Sequence, residues 1–183
     1  MGNAFAVRKL RPRNLEKQAG VDELKRSFPP VADARARVLV LGSLPGEESL
    51  ARARYYAHPR NQFWRLMGGV TGRDLEPLAY EERLQALRDA GVALWDTVGA
   101  ARRRGSLDGA IRDVEANALE QLADTLPNLR AVGFNGGKAA AVGMPQLGQR
   151  EGLALIALPS SSPAYTLGFE QKLAAWRRLA DYL

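Results

Sequence analysis

The chain has 183 residues, a net charge of +6 and 46% apolar residues, which fits one globular domain with its own hydrophobic core. It has no cysteine and one histidine, which excludes disulfides, thiol catalysis and cysteine-held metal centres. No run of about 18 uncharged apolar residues and no apolar leader is present, so we expect no membrane span and a cytoplasmic location by default.

Predicted strands and helices alternate along the chain. A basic N-terminal extension, residues 1–27, is predicted to be partly helical in the stretch VDELKRSF, and one α/β domain is predicted over 28–183. Short apolar runs predict four strands, which read RVLVLGS, VALWDTV, RAVGFNG and LALIALP. Amphipathic stretches predict helices in NQFWRLMGGV, stopped by its Gly-Gly pair, in YEERLQALRDAG, ending at Gly91, and in ANALEQLADTLPNL, GGKAAAVGM and GFEQKLAAWRRLADYL. This order predicts a central parallel sheet of about four strands with helices on both faces.

The positive charge comes mostly from arginine. A basic balance of this size suits a polyanionic partner, and nucleic acid is the leading candidate because its phosphates release counterions on binding. The alternative interpretation is an arginine-rich composition that does no more than solvate the surface.

Four polar loops follow the predicted strands, and they read GSLPGEES, WDTV, FNGGK and LPSSSP. In an open α/β sheet, ligands bind beyond the carboxyl ends of the strands. Each loop alone is explained by ordinary turn and helix-capping residues. Together they predict a binding cleft at one edge of the sheet.

A block of aromatic and amide residues, RYYAHPRNQFWRLM from Arg54 to Met67, comes soon after the first strand. This block and its preceding VLVLGSLPGEESL, with LWDTVGAARRRGSLDGAI, FNGGKAA and LPSSSPAYTLGFEQKLAAWRRL, resemble the hypoxanthine-DNA (deoxyinosine) glycosylase branch of the uracil-DNA glycosylase superfamily. The resemblance spans roughly Phe28 to Leu183. It implies a three-layer αβα fold and hydrolysis of the N-glycosidic bond of a deaminated base in DNA, without cofactor or metal.

The resemblance also assigns catalytic residues. Other branches carry polar residues where this chain has Leu44 and Leu158. In the hypoxanthine branch the catalytic asparagine lies in the HPRNQFW block, which is Asn61 here, and the asparagine of FNG assists, which is Asn135. An asparagine side chain both accepts and donates hydrogen bonds, so Asn61 either orients water through its carbonyl or donates its amide to the base, and Asn135 is expected to bind the base edge.

Further residues are predicted to form a base pocket. His58 is a third catalytic candidate, which either polarises the leaving base or holds its loop. For Phe63 and Trp64 a core position is the alternative, and for Asn135 a turn position. The predicted pocket residues are Gly42, Ser43, Leu44, Pro45, Gly46, Tyr55, Tyr56, Phe63 and Asp96, of which the two tyrosines and Phe63 are candidates to stack on the base.

Hydroxyl and basic side chains are predicted to contact DNA phosphates. The alternatives are serine helix caps and a solvated basic loop over ARRRGS, and Tyr165 or Leu167 is a candidate to fill the gap left in the base stack. Glu47, Glu48 and Asp108 are, with Asp96, carboxylates that would share the catalytic role. The predicted DNA-contact residues are Ser160, Ser161, Ser162, Pro163, Lys138, Arg102, Arg103 and Arg104.

Three alternative functions remain at this point. The same fold would serve a uracil-DNA glycosylase, or a damage sensor that flips and binds a base without cleaving it. A nucleotide-binding enzyme is disfavoured because GFNGGKAA has the wrong spacing for a phosphate loop and lacks its Ser or Thr. Double-stranded DNA, with single-stranded DNA as the other possibility, is the expected partner, and a monomer is the expected state.

Overall fold

The computed structural model describes residues 23–148 and 150–183. The strands are β1 (Glu23–Arg26), β2 (Val38–Gly42), β3 (Val92–Asp96), β4 (Val98–Arg103), β5 (Arg112–Ala116), β6 (Ala131–Asn135) and β7 (Ala154–Leu158). The helices are α1 (Glu47–Arg52), α2 (Phe63–Thr71), α3 (Tyr80–Asp89), α4 (Leu119–Asp124), α5 (Gly137–Leu147) and α6 (Phe169–Trp176), with 3₁₀ turns at Asp108–Ala110 and Arg177–Tyr182. No helix in these ranges is both long and apolar enough to span a bilayer.

The predicted parallel sheet is confirmed, with strand order β3-β2-β6-β7. Side chains of β2 alternate between its two faces, as the pleat requires. Val38 and Val40 pack against α2, α3 and α6, whereas Leu39 and Leu41 pack against α4 and α5. The domain therefore has three layers, αβα, as the resemblance implied.

A second sheet of three antiparallel strands, β1-β4-β5, was not predicted. The expected helix in VDELKRSF is wrong over residues 23–26, where β1 pairs with β4 in the register Glu23 to Arg103. The predicted basic loop ARRRGS is likewise wrong in its first half, since β4 continues to Arg103. The sequences of β1 and β5, ELKR and RDVEA, are rich in charge and show no alternation of apolar and polar residues, so they do not predict strands. The rest of the N-terminal extension, residues 1–22, lies outside the described residues.

The aromatic block was predicted to form a helix that stops at Gly68 and Gly69. Instead α2 continues to Thr71, and Gly72, at φ +71°, follows it in the left-handed region. Gly69 serves helix packing, because a Cβ there would lie 2.4 Å from Leu173 Cδ1 of α6. Trp64 is 5% exposed, which confirms its core position.

Candidate active site

A cleft of about 540 Å³ opens at the carboxyl edge of the parallel sheet, where the four polar loops meet. This is the predicted edge, and the volume is typical of ligand sites. Most of the predicted site residues line it: Gly42, Ser43, Leu44, Pro45, Gly46, Tyr55, Tyr56, His58, Asn61, Asp96, Asn135, Lys138, Ser160, Ser161, Ser162 and Pro163, together with the carboxylates Glu47, Glu48 and Asp108.

Asn61 lies half-exposed in the turn that leads into α2. Its Oδ1 accepts a hydrogen bond from the Phe63 backbone N–H at 3.0 Å, which satisfies the first backbone N–H of α2. The side-chain amide has no hydrogen-bond partner among the described residues, so it is available to a ligand. The geometry therefore favours the donor over the acceptor among the two predicted roles of Asn61.

His58 precedes Asn61 in the same turn. Its Nδ1 accepts the Arg60 backbone N–H at 3.1 Å, and its carbonyl accepts the Asn61 N–H at 2.9 Å. These bonds favour the loop-holding role, and contact with the leaving base stays a prediction.

Asn135 is 7% exposed and its carboxamide is already engaged. The amide donates to Ser161 Oγ at 2.9 Å and to the Tyr56 hydroxyl at 3.2 Å, while Oδ1 accepts the Ser161 N–H at 2.8 Å. Asn135 thus ties the end of β6 to the last loop and to the aromatic block. Binding of a base edge would require it to exchange one of these bonds.

The aromatic candidates occupy different depths. The Tyr56 ring stacks on Phe63 with centroids 3.7 Å apart and an interplanar angle of 10°. Phe63 is fully buried and does not line the cleft, so its prediction as a base-stacking residue is wrong and the alternative core position holds. Tyr55 is 4% exposed and its hydroxyl donates to the Pro29 carbonyl, which leaves Tyr56 as the more accessible ring.

Arg103 was predicted to contact phosphate, which is wrong, because the side chain is fully buried. Successive side chains of a strand point to opposite faces, so Arg103 faces the protein interior whereas Arg102 faces solvent. It donates to the carbonyls of Leu44, at 3.1 Å, and Pro45. Arg102 and Arg104 are exposed, and Arg102 lies 3.6 Å from Asp113. Neither lines the cleft, so their phosphate contacts stay a prediction for the surface beside it.

The loop after β2 is fastened to the second sheet by residues that sequence reasoning missed. Lys25 of β1 is 6% exposed, and it binds Glu47 and, at 3.2 Å, the Gly105 carbonyl. Ser106 Oγ accepts the Glu47 N–H at 2.9 Å. Ser43 Oγ donates to Asp108 Oδ1 at 2.6 Å, which ties the loop after β2 to the 3₁₀ turn at Asp108–Ala110. The sequence around Lys25 and Ser106 does not predict these roles, because Glu47, which both of them bind, is far from them in the chain.

Lys172 of α6, which is 1% exposed, holds the loop that follows β7. Its ammonium group donates to the carbonyls of Tyr165, at 2.8 Å, and Ser162, at 3.4 Å. Ser161 is also buried, with its hydroxyl bonded to Asn135, so it holds the loop, and its contact with DNA stays a prediction. Tyr165 is 48% exposed at the rim of the cleft, whereas Leu167 does not line it.

Replacing Lys172 by methionine is expected to lower the free energy of unfolding by about 1.5–3 kcal/mol, because two backbone carbonyls of the last loop lose a charged donor. Chemical unfolding measures the change. The matched control is Arg178→Met at an exposed position just beyond the same helix, expected to change stability by less than about 0.5 kcal/mol. Equal stabilities for the two variants would contradict a loop-holding role for Lys172.

A metal site is not evident in the part of the chain that the structure describes, where no group of three or more His, Asp or Glu side chains lies together. The cleft instead presents amides, hydroxyls and carboxyl groups to a ligand.

The structure is that of an α/β protein with a cleft beyond the carboxyl ends of its parallel strands, the place where open α/β sheets generally bind ligands. A family model, described as the uracil DNA glycosylase superfamily, matches residues 29–180, and the chain belongs to that superfamily.

Two curated relatives are named hypoxanthine DNA glycosylase. The one from Methanosarcina barkeri is 46% identical over 115 residues, which cover 63% of this chain and 73% of the relative. The one from Methanosarcina acetivorans is 39% identical over 153 residues, 84% of this chain and 96% of the relative. A solution NMR structure from Methanosarcina acetivorans, described as a candidate uracil DNA glycosylase, matches with a TM-score of 0.77 and 38% identity, covering 86% of this chain and 97% of that one.

Proposed function

We propose that this protein is a DNA glycosylase that hydrolyses the N-glycosidic bond of a deaminated base in DNA, with hypoxanthine as the favoured base. The observation that carries the proposal is the amide of Asn61, which lies in the cleft and has no hydrogen-bond partner among the residues that the structure describes. The two relatives named for hypoxanthine support the choice of base. The expected substrate is double-stranded DNA, acted on by a monomer.

A base inside a duplex is out of reach of the cleft, so the nucleotide has to be everted. Eversion costs a few kcal/mol, and least for a mispaired base such as hypoxanthine. The net charge of +6 favours binding to phosphates and so offsets part of this cost. Lys138, Ser160 and Ser162 line the cleft and are the side chains proposed to grip the backbone.

Bond cleavage leaves a cation-like sugar and a base that gains negative charge. An amide is a weak base, so Asn61 acts by positioning and by donating a hydrogen bond to the base, not by deprotonating water. Asn135 acts through the last loop and Tyr56, which it holds in place. Tyr56, backed by Phe63, provides the face on which the everted base stacks.

The proposal is tested by incubating the protein with duplexes that carry hypoxanthine, uracil or xanthine at one position. Abasic sites are scored by strand cleavage in alkali, and an undamaged duplex of the same sequence is the control. We expect strand cleavage at hypoxanthine to be the fastest. Tight binding to the damaged duplexes without any abasic sites would instead establish a damage sensor and contradict the proposed hydrolysis.

A further inference from the structure

Asp96 is the last residue of β3 and lines the cleft. One of its carboxyl oxygens has no hydrogen-bond partner among the described residues. The side chain is 3% exposed, and Oδ2 has no hydrogen-bond partner. The Asp96 backbone carbonyl accepts the Asn117 amide at 2.8 Å, which fixes the residue at the end of its strand. A Cβ at Gly42 would lie 2.6 Å from Asp96 Oδ1, so the glycine leaves the space that this carboxyl group occupies. The carboxyl group thus lines the cleft with one oxygen, Oδ2, that has no hydrogen-bond partner among residues 23–148 and 150–183.

The groups around Asp96 oppose each other electrostatically. Burial raises its pKa to about 7; Arg103 of β4 opposes this rise and Asp108 adds to it. The hydroxyls of Tyr55 and Tyr56 also face it, and burial raises the pKa of both, so they stay neutral. The other titratable groups that line the cleft are Glu47, Glu48, His58, Lys138 and Tyr165. Asp96 is therefore neutral below about pH 7 and ionised above it.

We propose that Asp96, in its neutral form, binds the lactam edge of the everted base, donating its O–H to the ring carbonyl oxygen and accepting the adjacent ring N–H. This inference rests on the proposed function and deepens it. A neutral carboxyl group presents one donor and one acceptor side by side. The lactam edge of a deaminated base presents the complementary groups, a carbonyl oxygen that accepts and an N–H that donates. Both oxygens of the Asp96 carboxyl group would therefore take part.

The hydrogen bond from Asp96 assists hydrolysis without consuming the acid. The bond between C1′ and the base nitrogen breaks, and its electron pair stays on the base. The oxygen of water bonds to C1′, and one proton of that water ends on the departing base. Negative charge that spreads to the ring oxygen strengthens the hydrogen bond from the carboxyl group during the reaction. Once ionised, Asp96 loses this donor and places a negative charge against a base that is itself becoming negative.

The test compares three forms of the full chain in single-turnover base release from a hypoxanthine duplex between pH 6 and pH 8. With a pKa of about 7, the neutral fraction of the wild type, and with it the rate, falls roughly tenfold across this range. Asp96→Asn keeps a donor and an acceptor at every pH, so its rate should stay within about fivefold of the pH 6 wild-type rate and be flat with pH. Asp96→Ala has neither group and should be slower by about 10²–10³-fold.

Three results of the kinetic arm would overturn the proposal. The first is an Asp96→Asn protein as slow as Asp96→Ala, which would indicate that the carboxylate itself is required. The second is a pH dependence of the rate that Asp96→Asn shares with the wild type, which would show that another group titrates. The third is a wild-type rate that does not change with pH.

A binding arm separates this inference from the proposed function. The probe is a duplex that carries 2′-fluorinated deoxyinosine, whose glycosidic bond resists hydrolysis. Wild-type affinity should fall from pH 6 to pH 8 more steeply than that of Asp96→Asn. If the wild type releases no base from any damaged duplex, the proposed hydrolysis fails, and the binding arm alone then decides the role of Asp96. If the affinities of the wild type and of Asp96→Asn depend equally on pH, the proposed role of Asp96 is refuted.

Discussion

Replacing Asn61 by alanine is expected to slow base release by about 10²–10³-fold, the usual effect of removing one well-placed donor to developing charge. The expected reason is the loss of the side-chain amide, which is unpartnered in the cleft and available to the base. Single-turnover kinetics on a hypoxanthine duplex measures the loss, and affinity for the same duplex should change far less. A wild-type rate in this variant would contradict the assignment.

The alanine variant also loses a hydrogen bond at the start of α2, because Asn61 Oδ1 accepts the Phe63 N–H. Loss of such a bond destabilises a protein by about 1 kcal/mol, so a slow rate alone would not separate the two roles. Asn61→Asp is the matched control, since it keeps the accepting oxygen and replaces the amide donor by a second acceptor. We expect its stability to match the wild type and its rate to match the alanine variant. Restored base release in Asn61→Asp would instead favour the carbonyl as the group that orients water.

The parallel sheet was predictable because each of its strands is a short apolar run, and its two central strands, β2 and β6, are buried on both faces. VLVLG and AVGFN have every residue buried, and a glycine or polar loop ends each one. The location of the cleft followed from the same runs, since parallel strands end at one edge. The second sheet escaped prediction because ELKR and RDVEA are mostly exposed, and only their pairing to β4 makes them strands.

Within the site, residue types were predicted better than their orientations. Asn61, Asp96 and Tyr56 line the cleft as expected. Phe63 faces the core and Arg103 points inward from β4, because the helical and strand periods turn them away from solvent. With ARRRGS interpreted as a loop, the inward orientation of the Arg103 side chain could not be predicted, because it depends on β4 being a strand.

Replacing Arg103 by methionine is expected to lower the free energy of unfolding by about 1.5–3 kcal/mol, because two backbone carbonyls lose their hydrogen bonds from a charged donor. The guanidinium group is fully buried and donates to the carbonyls of Leu44 and Pro45, and methionine cannot replace either bond. Arg103 also opposes the rise in the pKa of Asp96, so its loss removes a cation that offsets the effect of Asp108 on this carboxyl group. Urea unfolding at pH 7 measures the loss.

The exposed Arg104, one residue further along, provides the matched control for Arg103. Arg104→Met removes the same charge from the chain and should change stability by less than about 0.5 kcal/mol. Equal stabilities of the two variants would show that the buried bonds of Arg103 contribute nothing. Where Arg103→Met remains folded, the pKa of Asp96 should rise further, because the cation that favours its ionised form is gone. The fall in base release with increasing pH should then begin at a higher pH than in the wild type, which links the stability of the first loop to the ionisation of the carboxyl group beneath it.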